Sequence, residues 1–141
     1  MERKFDRMEA LAAAFSEGRF EREYHGYFEL FNAGEYYEAH DVLEHLWLQR
    51  KGTAEYNFFK ALIQYAGCFV HLKKAKTGPA IRLFLLYHSY LVEYPDSYRG
   101  LNLRQLRTEI GQWIESVEKS ADEFQWDLIE PPVLWPGHDS N

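Results

Sequence analysis

The feature that most constrains the fold of this chain is the spacing of its apolar residues, which repeats with the period of an α-helix. The clearest example lies near the C-terminal end, in the stripe Leu103, Leu106, Ile110, Trp113, Ile114 and Val117. Asn102 and Gln105 form an N-cap and capping-box pattern at the start of this stripe. No segment alternates apolar and polar residues over the length of a strand, so we expect helices and no β-sheet.

Turn signals divide the periodic sequence into about six predicted helices. They are predicted over Phe5–Phe15, Phe20–Phe31, Glu35–Gln49, Ala54–Lys76, the residues between Pro79 and Pro95, and the residues after Asn102. The fourth has Thr53 as its predicted N-cap and is predicted to end at Gly78-Pro79. It is apolar on most of its circumference, so we expect it to be the most buried helix. The fifth is predicted to turn Leu85, His88 and Val92 inward.

The helical pattern ends at Ser120, and the prolines at 131, 132 and 136 exclude regular helix beyond it. Apolar residues continue there, so this segment is predicted to pack across the helices as an extended strap. The predicted fold class is all-α, an irregular multihelical bundle of about six helices with an extended, proline-rich C-terminal strap. A single domain over residues 1–141 is expected, with its core at about residues 20–120 and a tail at 121–141.

Charge and apolar patterning argue against two classes of partner. The net charge of −6 repels a phosphate backbone, so nucleic acid is not an expected partner. The densest basic stretch, Lys73, Lys74 and Lys76, is interpreted as the cationic last turn of a helix. The longest apolar stretch, Ala61–Leu72, is too short to span a bilayer, so no membrane partner is expected. The opening MERKFDRMEA has no apolar segment of a secretion signal, which favours a cytoplasmic location.

Aromatic residues make up 17% of the chain, which is more rings than a core of this size needs. Tyrosine and tryptophan combine an apolar body with a polar tip and are enriched at protein interfaces. We therefore expect some of them at a homo-oligomer interface or in the wall of a pocket.

Polar residues occur in the third predicted helix at positions where its period predicts core. At about 100° per residue, His40 falls on the inward side and Glu44 follows one turn later on the same face. Burying this pair without partners costs several kcal/mol, so other polar groups are expected to complete it. Gln64 and His71 share one face of the next helix. The sequence therefore predicts a buried cluster of His40, Glu44, Gln64 and His71.

Three interpretations of this cluster remain open. In the first, it is a hydrogen-bond network that fixes the register of two helices. In the second, His40, Glu44 and His71 bind a divalent metal such as zinc, iron or manganese. In the third, Glu44 orients His40 or His71 for general acid/base catalysis. His45 is instead predicted to pair with Asp41 on a more exposed face.

The stretch Phe31-Asn-x-Gly-x-Tyr-Tyr-Glu-Ala-His-Asp-Val-Leu-Glu-x-x-Trp47, followed by Ala61-Leu-Ile-Gln64 and His71, resembles the prokaryotic family called domain of unknown function 309. The similarity covers roughly residues 24–117. It implies a small multihelical bundle in a cytosolic protein and no established activity. The family's polar and aromatic signature matches Glu38, His40, Glu44, Trp47, Gln64 and His71.

Two hypotheses about function follow. The chain is a binding or assembly module with a structural polar cluster, or it is a small metal-dependent or acid/base enzyme. The residues predicted to bind a small molecule, whose identity the sequence does not indicate, are Tyr36, Tyr37, Glu38, Trp47 and Gln64. The Asn32–Ala39 segment is also similar to the start of tetratricopeptide-like hairpins, but no second copy recurs at the period of that repeat.

Overall fold

The computed structural model describes residues 20–137 of the chain. This part contains five α-helices, one short β-hairpin and one 3₁₀ turn. The α-helices are α1 (Arg22–Asn32), α2 (Tyr36–Leu48), α3 (Tyr56–Lys73), α4 (Thr77–Leu91) and α5 (Leu103–Lys119). The all-α prediction is confirmed, with five helices rather than six. The predicted helix Phe5–Phe15 lies outside the described residues. No α-helix between residues 20 and 137 is long and apolar enough to cross a membrane.

The long helix α3 lies at the centre of the bundle and packs against both α2 and α4. Helix α1 packs against α2, and α5 packs against α4. This helix has more buried side chains than any other described helix, as predicted, because it is apolar on most of its circumference and contacts two other helices. Phe58, Leu62 and Phe69 of α3 are fully buried.

Aromatic rings from three helices form a continuous stack through the core. The ring of Phe31 in α1 stacks on Tyr65 of α3 with centroids 5.3 Å apart, and Tyr65 stacks on Tyr87 of α4 at 4.4 Å. Aromatic pairs contribute about 0.5–1.5 kcal/mol each beyond the area they bury. Many of the rings that composition suggested for an interface or pocket are therefore core residues.

The chain break between α3 and α4 comes earlier than predicted. Helix α4 begins at Thr77, so Gly78 and Pro79 lie in its first turn, where a missing N–H costs no helical hydrogen bond. The break is made instead by Ala75, whose φ of +56° is left-handed. Its amide donates to the carbonyl of Leu72, in the pattern of a Schellman motif that usually carries glycine at this position.

The predicted N-cap of α3 is also wrong. Helix α3 begins at Tyr56, and its N-cap residue Glu55 makes no capping hydrogen bond through its side chain. The hydroxyl of Thr53 donates instead to the carbonyl oxygen of Arg50, 2.7 Å away, within the preceding turn. Threonine hydroxyls serve turns as readily as helix caps, which is why the pattern misplaced the start of this helix.

A two-stranded antiparallel hairpin corrects the expectation of no sheet. Its strands are β1 (Ser97–Tyr98) and β2 (Leu101–Asn102). Between them Arg99 and Gly100 have φ values of +46° and +83°. Positive φ at both central residues is the requirement of a type I′ hairpin turn. The guanidinium of Arg99 lies 4.5 Å from the ring centroid of Tyr24 and binds the carboxylate of Glu21, contacts that hold this arginine in its strained conformation.

Helix α4 buries a narrower stripe than its sequence suggested. Its buried side chains are Ala80, Phe84, Tyr87 and Leu91. Leu85 and Val92 are 57% and 52% exposed, and His88 is exposed as well, so the prediction that these three face inward is wrong. The helix contacts α3 and α5 only along one side, and its opposite side faces solvent.

The residues after α5 contain one 3₁₀ turn, Trp126–Leu128, and otherwise no helix or strand up to residue 137. The side chain of Asn32 anchors this segment to α1: its Nδ2 donates to the carbonyl oxygen of Leu134, and its Oδ1 accepts from the amide of Leu134, both at 2.8 Å. The amide of Gly137 donates to the carbonyl oxygen of Gly100 at 2.7 Å. Hydrogen bonds thus fix the tail at Leu134 and at Gly137.

Candidate functional site

A cavity of about 180 Å³ opens between α2, α3 and α4. Its polar lining residues are Tyr37, His40, Gln64 and His71, and its other lining residues are Ile63, Gly67, Val70 and Leu83. We call this the histidine cavity. Three members of the predicted cluster, His40, Gln64 and His71, therefore meet at one cavity. They do so at a partly exposed surface and not in the interior that the helical period suggested.

Helical geometry explains why these side chains meet. Ala39 and Leu43 are fully buried and hold α2 against the bundle, which leaves His40 at the edge of its buried stripe. On α3, residues seven apart lie on the same face, so Gln64 and His71 extend from that face two turns apart. The packing of α2 on α3 then brings the α2 imidazole and the two α3 side chains to one opening.

Gly67 of α3 leaves room for the side chain of Leu83 of α4. A Cβ atom at residue 67 would lie 2.8 Å from Cδ1 of Leu83, closer than side chains pack. Both residues line the histidine cavity. The absence of a side chain at residue 67 therefore sets the position of the Leu83 wall.

The imidazole of His40 lies beside a buried carboxylate. Its Nδ1 is 3.1 Å from Oδ1 of Asp41, and the residue Asp41 is only 2% exposed. With the proton on Nδ1, the imidazole donates to this carboxylate and leaves Nε2 as an acceptor. The side chain of His40 is 31% exposed, so the ring remains accessible. The carboxylate of Asp41, which was not among the predicted site residues, is therefore in position to orient the imidazole of His40.

His71 lies in positive surroundings. Burial, followed by the positive charges of Lys76, Lys74 and Arg82, lowers the pKa of His71 below its ordinary value of 6.5. Its Nδ1 is buried, with no hydrogen-bond partner among the described residues. The imidazole of His71 is therefore neutral at pH 7. Of the three cations that act on it, Lys74 and Lys76 were predicted only as part of a helix end, and Arg82 was given no role.

The remaining predicted site residues lie elsewhere. Tyr36 is 2% exposed and packs its ring on Phe31 and Phe69 in the core. Trp47 stacks on the ring of Tyr56, with centroids 5.0 Å apart, and Lys60 lies over its indole. Glu38 and Glu44 are half-buried residues that do not line the histidine cavity.

Among residues 20–137, no group of three or more histidine, cysteine, aspartate or glutamate side chains is arranged to hold a metal ion. The predicted ligands His40, Glu44 and His71 therefore do not form such a group. Two of them, His40 and His71, line the histidine cavity, where the other polar residues are an amide and a phenol rather than carboxylates.

Asp41 and His45 are buried, at 2% and 7% exposure, and not on the exposed face that was predicted for them. The reason is that α1 covers this side of α2. Nε2 of His45 lies 3.9 Å from a carboxylate oxygen of Glu23 in α1 and 3.2 Å from Nε2 of Gln49. The helical period of α2 alone does not predict that α1 buries Asp41 and His45.

The family model that matches this chain carries the description Domain of unknown function (DUF309) and covers residues 24–83. All eight residues that line the histidine cavity fall within this match. No curated protein and no solved structure matches the chain.

Proposed function

We propose that this chain, which belongs to the DUF309 family through residues 24–83, is a binding module that holds a small anionic molecule in the histidine cavity. The observation that supports the proposal is the meeting of His40 from α2 with Gln64 and His71 from α3 at one opening. Polar side chains of separate helices that converge on a partly apolar cavity are the usual composition of a ligand site.

The chemistry of the lining favours an anion. The amide of Gln64 and the hydroxyl of Tyr37 supply hydrogen-bond donors, and the neutral imidazole of His71 supplies one more. The positive charges of Lys74, Lys76 and Arg82 act on His71 and stabilise negative charge nearby. The cavity volume of about 180 Å³ is below the range of drug-sized ligands, so the expected ligand is a small carboxylate.

An NMR titration with acetate, malonate and inorganic phosphate as separate probes tests the proposal. We expect saturable shifts of the His40 and His71 ring signals with at least one carboxylate, and loss of saturation in Gln64→Ala and His71→Ala. His88→Gln is the matched control, because His88 is an exposed histidine of α4 that does not line the cavity. Absence of saturation with all three probes, or shifts that both cavity variants leave unchanged, would contradict the proposal.

Acid/base catalysis is a second candidate, favoured by the contact between His40 and the buried carboxylate of Asp41. A carboxylate that fixes the tautomer of an imidazole is the usual arrangement of a general base. If the module is an enzyme, the Asp41→Asn variant is expected to bind the carboxylate probe found by the NMR titration but no longer to convert it. Turnover is followed by NMR over time with the wild-type chain. A wild type that leaves every bound probe chemically unchanged supports binding alone.

We also propose that the chain forms a homodimer through the solvent-facing side of α4. This α4 face consists of Arg82, Leu85, Leu86 and Ser89 of the helix and of Val92 and Glu93, which directly follow it. Leu85, Leu86 and Val92 are 57%, 44% and 52% exposed, while Arg82 and Glu93 lie near its two ends. If two copies of α4 pack antiparallel about a two-fold axis, Arg82 of each copy lies near Glu93 of the other. Such self-complementarity favours a second copy over an unrelated partner.

Sedimentation equilibrium of the full chain tests this assembly. Leu86→Asp is expected to shift a dimer toward monomer, and so is Arg82→Glu. The double variant Arg82→Glu with Glu93→Arg is expected to restore the dimer, because the charges are exchanged and not removed. Glu118→Lys, at an exposed position of α5, serves as the control. A wild type that remains monomeric at all concentrations would contradict the assembly.

A further inference from the structure

A second set of cavities lies along α5, outside the segment that the family model matches except for Tyr65. Three openings, of about 510, 300 and 380 Å³, all include Glu109 in their lining. The first two also share Pro132 and Val133 of the tail. The first two openings therefore form one groove between α5 and the tail, which we call the α5–tail groove, and the third continues from it along α5. Nothing in the sequence-based interpretation pointed to it.

The charge of the groove is negative near the tail. Glu109 and Glu130 line the largest opening, and Glu109 lines the next as well. No lysine or arginine among residues 20–137 lines either of these two openings. Arg104 lines only the third, farther toward the start of α5. Two carboxylates without a lining cation favour a positively charged ligand over a neutral or negative one.

Aromatic rings form part of the same walls. Trp113 lines the largest opening, and Tyr65 and Trp135 line the second. Stacking on Phe84 and an edge contact with Phe69 fix the indole of Trp113. Tyr65 is 2% exposed and stacks between Phe31 and Tyr87, so Trp113 and Trp135 are the rings that a ligand in the groove would contact. Aromatic rings beside carboxylates are the typical surroundings of an organic ammonium group.

The tail that completes the groove is held in place at two points. Asn32 binds the backbone of Leu134 in both directions, and Gly137 donates to Gly100. A Cβ atom on Gly100 would lie 2.9 Å from the carbonyl oxygen of Gly137, so the glycine at residue 100 permits this close approach. A wall that is fixed before a ligand arrives reduces the entropy lost on binding.

We propose that the α5–tail groove binds an organic amine, with its ammonium group near the Glu109 carboxylate and its apolar part against Trp113 and the tail prolines. The side chain of Gln105 donates to Oε2 of Glu109 at 3.1 Å and holds this carboxylate in position. The carboxylate has further lone pairs for an ammonium donor. This site is separate from the histidine cavity in position and in the charge of its ligand.

Calorimetric titration of the full chain with tetramethylammonium and with putrescine tests the proposal. We expect saturable binding of at least one amine, weakened about tenfold or more in Glu109→Gln, since loss of a charged contact has effects of this size. Glu109→Asp keeps the charge and is expected to retain most of the affinity. Glu118→Gln is the matched control, because it removes one exposed carboxylate of α5 that does not line the groove.

Three outcomes would overturn the amine site. These are no saturable binding of either amine, equal weakening in Glu118→Gln and Glu109→Gln, and equal binding of the uncharged analogue neopentyl alcohol. The second outcome would assign the binding to diffuse surface charge. His71→Ala is expected to leave amine binding unchanged, so failure of the anion site and failure of the amine site are distinguishable.

Discussion

The backbone amide of Lys76 donates a hydrogen bond to the carbonyl oxygen of His71, 2.9 Å away. Together with the bond from Ala75 to Leu72, it closes the end of α3 and fixes the loop that carries Lys74 and Lys76. The same residue that contributes an imidazole to the histidine cavity thus anchors two of the cations that act on that imidazole. The geometry of the loop and the electrostatics of the cavity are therefore coupled.

Ala75→Gly is expected to stabilise the protein by about 1 kcal/mol. Ala75 has a φ of +56°, and a left-handed conformation costs a residue with a Cβ roughly 1–2 kcal/mol, part of which the greater freedom of glycine in the unfolded chain offsets. The free energy of unfolding, measured by urea denaturation, checks this. The opposite change, Gly52→Ala, is expected to destabilise, because Gly52 has a φ of +84° and no neighbour within 4 Å of an added Cβ. Stabilisation by both changes would contradict the strain argument.

The ring of His71 is expected to titrate below 6.5, because burial and the nearby cations lower its pKa. The unfolded chain then takes up the proton at a higher pH than the native protein does, so protonation favours unfolding. The contribution of His71 to stability is complete when the pH is above the pKa of His71 in the unfolded chain. It decreases as the pH falls from there toward the lower pKa of His71 in the native protein. NMR titration of the ring signals measures the pKa directly. A value above 6.5 would contradict the arrangement of cations, and His71→Gln is expected to remove this part of the pH dependence of stability.

Tyr87→Phe is expected to leave stability unchanged or to raise it by about 1 kcal/mol. The hydroxyl of Tyr87 is buried and has no hydrogen-bond partner among the described residues, so its removal relieves an uncompensated desolvation cost. Tyr27→Phe is the matched comparison. The hydroxyl of Tyr27 donates to the carbonyl oxygen of Leu62 at 2.6 Å, so this change is expected to destabilise by about 1 kcal/mol. Equal thermal shifts for the two variants would count against this assignment.

Asn32→Ala is expected to destabilise the protein by about 1–3 kcal/mol, since it removes both hydrogen bonds to Leu134 and leaves backbone groups without partners. Asn32→Asp keeps the acceptor for the Leu134 amide and loses only the donor, so a smaller effect is expected. Hydrogen exchange at the Leu134 amide reports release of the tail. An amide that exchanges equally fast in the wild type and in Asn32→Ala would show that this side chain does not hold the tail.

Much of the fold could be predicted from the sequence because each helix carries its own signal. The stripe of α5 and its cap illustrate this: Oδ1 of Asn102 accepts from the amide of Gln105 at 3.0 Å, as the capping pattern predicted. The hairpin at Arg99 could not be predicted in this way. An arginine at a positive φ is held there by Glu21 and by rings of distant segments, and such support is invisible to local patterns.

The candidate site was predictable in part. His40, Gln64 and His71 were identified because polar residues stood at apolar positions of two neighbouring helices. The role of Asp41 was missed, because the helical angle placed its side chain on the outer face, which α1 covers in the folded protein. Lys74 and Lys76 were interpreted only as part of a helix end, and Arg82 was not identified, since its approach to His71 depends on how α4 packs.

The segment that the family model matches ends in the middle of α4. Residue 83 closes the match, yet Phe84, Tyr87 and Leu91 of the same helix are fully buried, and Tyr87 stacks on Tyr65. A fragment that ends at residue 83 would lack Tyr87, so Tyr65 of α3 would lose its stacking partner. The cut would also fall directly after Leu83, which lines the histidine cavity. The smallest unit that can fold independently is therefore longer than the signature by which it is identified. Chimeras between relatives should exchange α3 and α4 together, up to the hairpin.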